Sequence, residues 1–355
     1  MYKGAILAPM VRIGTLPTRL LCLEEGADLV YTEEIIDHRL MDCRKFEHKN
    51  GLVEFKLTAE DNPVLQTCAK EKEKVILQLG TADPNRAVKA AKLCQDHISG
   101  VDVNMGCPKA YSTKGGMGAA MLKTPDLAES ILKALVQELD IPVTCKIRCL
   151  KTLEETVEFA KRMEKTGIAA LAIHGRQKTE RSRADPCRSL WIAEVAKSLK
   201  IPVLANGGSG EIKSRSDIDE FQEKTGTAGV LVARAAMWNP SVFNKDGPRH
   251  VFEVVKRYCK LCLEYDFALE VMKYNVLSML RDLQDKDPRG LATKPALSSK
   301  EIAECWGVVQ EDKDGPNPKK KKLDCESVDR EESYPYVHNH FKKLKQWEGI
   351  FNVLV

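Results

Sequence analysis

One cysteine sits between a glycine and a proline in the stretch 101–122, VDVNMGCPKAYSTKGGMGAAML. Residues 101–105 read as a strand, Gly106 breaks it, Cys107 follows and Pro108 stiffens the exit. Gly106, Gly115, Gly116 and Gly118 make the rest a glycine-rich loop. A thiol at a strand end between Gly and Pro is placed for chemistry rather than for packing. A nucleophilic cysteine needs a histidine partner or a strongly lowered pKa, and no histidine is adjacent in sequence. The other role is general acid. A thiol with a pKa near ~8.5 is mostly protonated at neutral pH and can give its proton to carbon.

Such a group needs a scaffold. Strand-like runs at 5–10, 29–33, 75–80, 101–105, 143–148, 170–174, 203–206 and 230–233 alternate with helical patterns, among them 84–96, 125–139, 153–166, 190–199 and 214–224. Near-continuous apolar strands alternating with helices imply a parallel sheet covered by helices. Eight of them imply a closed (β/α)8 TIM barrel. An open doubly wound sheet usually shows G-x-G-x-x-G after its first strand, and that position reads APMVRIG. Residues 37–72 exceed one helix and carry Asn50-Gly51, a hairpin signal, so they are expected as an insertion on the barrel rim. From about 248 the pattern becomes purely helical, at 251–265, 270–284 and 298–306. The expected organisation is a barrel over 1–245, a small helical domain over 246–307 and a polar, poorly ordered tail over 308–355.

Catalytic residues of a barrel lie at the C-terminal ends of its strands. Those ends carry Pro9-Met10, Thr32-Glu33, Gln78, Asn104 to Cys107, Lys146 to Arg148, His174 to Arg176, Asn206 to Gly208 and Ala233-Arg234. The loops after the last two strands form the usual phosphate site of this fold. There Gly207 and Gly208 admit close backbone approach and Arg234 adds a fixed charge. Lys146 needs an anionic partner, because burial alone would depress its pKa. That partner is either a ligand or a barrel carboxylate such as Glu33.

These residues, in this order, resemble the tRNA-dihydrouridine synthases, flavin enzymes marked by N-x-G-C-P followed by a G-x-G-A loop. The likeness covers roughly residues 5–300: Ala8-Pro9-Met10-Val11, Thr32-Glu33, Gln78-Leu79-Gly80, Asn104 to Pro108 with the loop to Leu122, Lys146 with Arg148, His174-Gly175-Arg176, Asn206-Gly207-Gly208, and Ala233-Arg234 leading to Asn239-Pro240. Among the subfamilies the chain is most similar to the eukaryotic type-2 enzymes, which modify the D-loop uridine at tRNA position 20.

The resemblance implies FMN at the barrel mouth, reduced by NADPH or NADH, with hydride passing to C6 of uracil and Cys107 protonating C5. It implies that Pro9 and Met10 pack on the flavin, that Gln78, Lys146 and His174 contact it, and that Asn206, Gly207, Gly208, Ala233 and Arg234 hold its phosphate. Asn104, Lys109, Arg148 and Arg176 would face the substrate, Asn104 and Arg176 the flipped-out base. The helical domain would grip tRNA by shape and phosphates. Departures are Ala233-Arg234-Ala235 where the family often has G-R-G, a weak match over 181–190, and a tail too short for the double-stranded-RNA-binding domain of the animal type-2 enzymes.

Bulk composition agrees with an intracellular enzyme without demanding one. The chain of 355 residues is 43% hydrophobic and 30% charged, with net charge +4, which permits a nucleic-acid partner without requiring it. Twelve cysteines without framework spacing read as reduced thiols. The Cys259/Cys262 pair lacks a second pair, so no metal site is expected. No run approaches the ~18 apolar residues of a membrane span. The sequence leaves no room for a leader peptide before the first strand, so a cytoplasmic location and no membrane partner are expected. A protein partner of the aminoacyl-tRNA synthetase type is not legible. Two alternatives remain: an FMN barrel acting on a free pyrimidine, in the manner of dihydroorotate dehydrogenases, and a non-catalytic barrel that binds RNA or protein.

Overall fold

Eleven strands form in the computed structural model, which describes residues 2–180, 182 and 184–308. They are β1 (Gly4–Leu7), β2 (Leu29–Ile36), β3 (Arg44–Glu47), β4 (Leu52–Lys56), β5 (Leu65–Cys68), β6 (Val75–Gly80), β7 (Gly100–Asn104), β8 (Val143–Arg148), β9 (Ala170–His174), β10 (Val203–Asn206) and β11 (Gly229–Val232). Eight close into a parallel barrel in the order β1-β11-β10-β9-β8-β7-β6-β2, and β3, β4 and β5 form a separate antiparallel sheet. The (β/α)8 barrel followed by a helical region is therefore present.

The alternation of each strand sorts its side chains into two layers. Ile6, Tyr31, Ile76, Ala172, Leu204 and Leu231 fill the barrel interior. Their immediate neighbours Leu7, Val30, Leu77, Ile173, Ala205 and Val232 join the larger core beneath the helices. Helix Leu153–Glu164 shows the local logic. A reciprocal Thr152/Glu155 capping box opens it, and Thr156, Phe159, Ala160 and Met163 face inward.

The segment over 37–72 departs from the expected rim insertion. Only a four-residue helix, Asp37–Leu40, follows β2, and the β3–β4–β5 sheet takes the place of the covering helix. Phe55 is fully buried and packs edge-on against His97, just ahead of the N-terminal end of β7. The sheet thus covers the barrel's side and does not crown its catalytic rim. Apolar Phe55 and Leu65 explain this, since both join the main core.

The helices Val251–Glu264, Leu269–Leu280 and Ser299–Cys305 appear near their expected places, with a further helix, Pro288–Thr293, between the last two. Tyr258, Cys259 and Cys262 share a buried cluster with Leu16, Leu20 and Leu21 of the first helix, Leu16–Glu24, so barrel and helical region lie in one compact unit. Burial pushes the Cys259 and Cys262 thiols up. Among the described residues no group of three or more His, Cys, Asp or Glu could hold a metal ion, and no helix is long and apolar enough to cross a membrane. The expected polar tail lies outside the described residues.

A buried ion pair ties the first helix to the inserted sheet. Arg19 meets Glu71 through two hydrogen bonds of 2.8 and 2.6 Å, and its remaining donors reach the Gly14 and Gln66 carbonyls. Both side chains are at most 2% exposed. Removing one partner leaves an uncompensated buried charge. Glu71→Ala is expected to cost about 3–5 kcal/mol of stability in urea unfolding. A loss below about 1 kcal/mol would show that water can replace the carboxylate.

Candidate active site

The inward side chains at the top of the barrel are polar, while those below are apolar except for Asp102 and Thr144. Gln78 stands above Ile76, Asn104 above Asp102, Lys146 above Thr144, His174 above Ala172 and Asn206 above Leu204. Strand register brings them side by side, with Asn104 paired to Lys146, Arg148 to His174 and His174 to Asn206. Polar groups dispersed over a hundred residues of sequence thus form one ring at the C-terminal rim.

A chain of amides fixes the cysteine loop. Asp102 is fully buried, and burial pushes its carboxyl up to about 6. It accepts from Thr144 at 2.7 Å and from Gln78 Nε2 at 2.8 Å. With Nε2 so held, Gln78 Oε1 faces Asn104 Nδ2 at 3.2 Å, and Asn104 Oδ1 accepts the N–H groups of Gly106 and Cys107, both at 2.9 Å. Gln78 and Asn104 each keep one amide hydrogen for a ligand. Arg148 Nε clamps the Gly106 carbonyl at 2.7 Å. Lys109 opens the short helix Ala110–Thr113 and accepts, through its carbonyl, from Ser112 and Thr113.

The far side of the loop explains the G-x-G pattern. Gly118 has φ +57°, and a Cβ there would lie 2.6 Å from the Cys107 carbonyl oxygen and 2.4 Å from Ser112 Oγ. Ala119 N–H donates to that same carbonyl at 2.9 Å. The thiol itself is half-buried. Burial and, second, the Glu34 carboxylate push it above the ordinary thiol value, so it holds its proton at neutral pH.

The adjoining strands β8 and β9 make the mouth cationic. Lys146 is drawn down to about 8, by burial first and the Arg148 charge second, with Asp102 opposing. The alternative of a Lys146–Glu33 pair is overturned. Glu33 Oε2 accepts from Arg12 N at 2.6 Å, and among the described residues no side chain hydrogen-bonds the lysine. His174 lies well below its usual range, through burial and the charges of Arg148, Lys146, Arg176 and Arg234. It is therefore neutral. Its Nδ1 accepts from Arg176 N at 3.2 Å, which leaves the proton on Nε2.

Beside it, Gly207 has φ +125°, and a Cβ would strike Cys187 Sγ at 2.8 Å. No backbone carbonyl among the described residues accepts from the Gly207 or Gly208 N–H. Asn206 Nδ2 reaches across to the Leu231 carbonyl at 2.8 Å. Ala233 precedes the helix Arg234–Trp238, whose first N–H groups have no intrahelical acceptor. Pro9 and Met10 are half-buried just past β1, and Met10 packs on the main core while its carbonyl holds the turn to Gly14.

Arg176, expected at the base, is engaged within the protein. It is 4% exposed, and its guanidinium donates to the Gly207 carbonyl at 2.9 Å and the Asp185 carbonyl at 2.8 Å. It is a brace for the glycine turn. Sequence reasoning passed over three groups. Asp102 looks like a core position of a strand. Glu34 stands beside Glu33, which alone was considered. Tyr111 lies four residues after Cys107, a spacing that puts both on one side of a helical turn.

The mouth suits an anionic, planar cofactor with a phosphate. Among the described residues it offers a lysine with no hydrogen-bonding side chain, a neutral histidine whose Nε2–H meets no acceptor, and a turn at Gly207 where a Cβ would strike Cys187. A family model described as dihydrouridine synthase matches residues 6–294. The chain is 37% identical over 297 residues to a tRNA-dihydrouridine(20) synthase of Schizosaccharomyces pombe, taking in 81% of this chain and 61% of that protein. It is 36% identical over 296 residues to a tRNA-dihydrouridine(20) synthase of Saccharomyces cerevisiae, over 77% of this chain and 76% of that one. Both names carry the qualifier NAD(P)+. A tRNA-dihydrouridine synthase B of Xanthomonas campestris matches at 32% identity over 68% of each chain. This chain thus spans less than two thirds of the S. pombe relative's length.

Proposed function

Because the chain belongs to the dihydrouridine synthase family, we propose that it reduces the C5=C6 bond of a uridine in the tRNA D-loop, at position 20. The observation that carries this reading is a protonated thiol, Cys107, in a braced loop on the rim of a cationic barrel mouth. Asn206, Gly207, Gly208, Ala233 and Arg234 would hold the FMN phosphate, with Lys146, His174 and Gln78 at its polar edge and Pro9 and Met10 at its ring. FMN held there, with NADPH or NADH as reductant, would supply hydride chemistry toward C6 of the uracil.

The chain's own residues do the rest. Cys107 keeps a proton until C5 needs one. Asn104 sets the direction of the loop through the Gly106 and Cys107 N–H groups. Arg148 clamps the loop from the Gly106 carbonyl, and Arg176 keeps the Gly207 turn open. The helices from Val251 to Cys305 would grip the tRNA by its shape and phosphates. The test is to supply FMN, NADPH and unmodified tRNA and to map dihydrouridine by position. Formation at position 20 alone is expected. Activity on a free pyrimidine with none on tRNA would overturn the reading.

A pH profile tests the acid. Cys107 acts only in its protonated form, and both burial and Glu34 raise its pKa. With FMN saturating, kcat should therefore hold through neutral pH and fall only above the ordinary thiol value of about 8.5. A fall already complete at pH 8 would show that the thiol is acidified, contrary to its surroundings.

A further inference from the structure

Cys107 gives up one proton in each turnover, and the reaction cannot repeat until the sulfur regains it. Two side chains able to carry a proton, Tyr111 and Glu34, stand within hydrogen-bonding reach of that sulfur. The Tyr111 hydroxyl lies 3.5 Å from Sγ and donates to Glu34 Oε2 at 3.0 Å. Ser112 Oγ donates to the other carboxylate oxygen at 2.9 Å. Glu34 reaches this place because β2 slips register against β6 between Tyr31 and Glu34, and such a bulge re-aims a side chain. Glu34 pairs with Gln78 along the strands, while the hydrogen bonds its carboxylate accepts come from Tyr111 and Ser112.

We propose that Tyr111 and Glu34 form the path by which Cys107 is reprotonated after each turnover, a step that rests on the reading of Cys107 as the proton donor. The thiolate takes the Tyr111 hydroxyl proton, forming S–H and breaking O–H. Water protonates the Glu34 carboxylate, and that proton passes on to the tyrosine oxygen, which returns Glu34 to its charged form. One proton enters from water for each one passed to the substrate, and no electrons move. A thiolate and a carboxylate bridged by one phenol oppose each other's charge, so the cluster favours uptake of a proton once Cys107 has lost its own. Burial also pushes the Glu34 carboxyl up from its usual range. Tyr111 is 45% exposed, so it adds little to the core and can be altered without unfolding the loop.

The experiment compares a first turnover with steady state. Wild type, Tyr111→Phe and Glu34→Gln are each loaded with FMN, reduced by NADPH and mixed with a substoichiometric amount of unmodified tRNA. Separately, kcat is measured with excess tRNA and NADPH. Each variant should complete the first turnover within about 3-fold of wild type, since its thiol starts protonated, while kcat falls about 10–100-fold. Imidazole buffer should restore kcat in Tyr111→Phe by delivering protons directly. Equal losses in both regimes would overturn the relay, because they would mark Tyr111 and Glu34 as packing or substrate contacts. No loss in either regime would overturn it too. If wild type itself forms no dihydrouridine, the functional reading falls and the relay falls with it.

Discussion

Cys107→Ala lowers dihydrouridine formation by about 10²–10⁴-fold, the usual contribution of a positioned general acid, while FMN stays bound and NADPH still bleaches it. The separation follows from what the side chain touches. Everything that places residue 107 runs through its backbone: the N–H to Asn104 and the carbonyl that accepts from Ala119. Alanine keeps both. The sulfur's own contacts are the Tyr111 hydroxyl, the Glu34 carboxylate and the Lys109 backbone. None of the groups suited to the cofactor depends on the thiol. The variant therefore loses the proton and little else. Cys107→Ser should rescue poorly, because an aliphatic hydroxyl is a far weaker acid than a thiol. The checks are a flavin titration, the rate of flavin bleaching and the dihydrouridine yield. Normal yield from the alanine variant would remove Cys107 from the chemistry, and loss of flavin would show that the loop also shapes the cofactor site.

Much of this arrangement is legible in the residues alone, for a physical reason. Barrel strands are buried on both faces, so they read as short apolar runs with sharp ends, and 75–80, 143–148, 170–174 and 203–206 match their strands to the residue. Near the end of each run stands the polar residue that reaches the mouth: Gln78, Lys146, His174 and Asn206. Where the backbone departs from regular pairing, sequence loses track. The first strand stops at Leu7 instead of Met10, because the chain turns on the Met10 carbonyl. The second continues to Ile36 past its bulge, and that irregularity brings Glu34 to the cysteine. Arg176 shows a second limit. Its position at a strand end is visible in the sequence, but the two carbonyls it serves lie at Asp185 and Gly207. The sheet over 37–72 shows a third, because a hairpin signal says that strands form and not which surface they cover.

Lys146→Met should make the flavin-free protein more stable and bind FMN about 10–100-fold more weakly, since a hydrogen bond to a charged group contributes about 1.5–3 kcal/mol. The two effects have one cause. The ammonium sits in the barrel mouth with no hydrogen-bonding side chain among the described residues, and burial and Arg148 draw it down to about 8. Methionine fills a similar volume without the charge, so the ligand-free protein should gain up to about 3 kcal/mol at pH 7, the stability lost by drawing the lysine from about 10.4 down to about 8. The sign of the pH dependence follows from linkage. Below pH 8 the lysine is protonated in both folded and unfolded chains, and the cost of holding its charge in the mouth is fully present. Between about 8 and 10.4 the unfolded chain binds more protons, so wild-type stability rises with pH relative to the variant. The difference between the two should close near pH 10.4. Urea unfolding of both proteins without flavin at pH 7, 9 and 10.5 reads the first effect, and flavin titration reads the second. A variant that is less stable at pH 7 and binds FMN normally would mean that Lys146 holds the barrel together rather than an anion in its mouth.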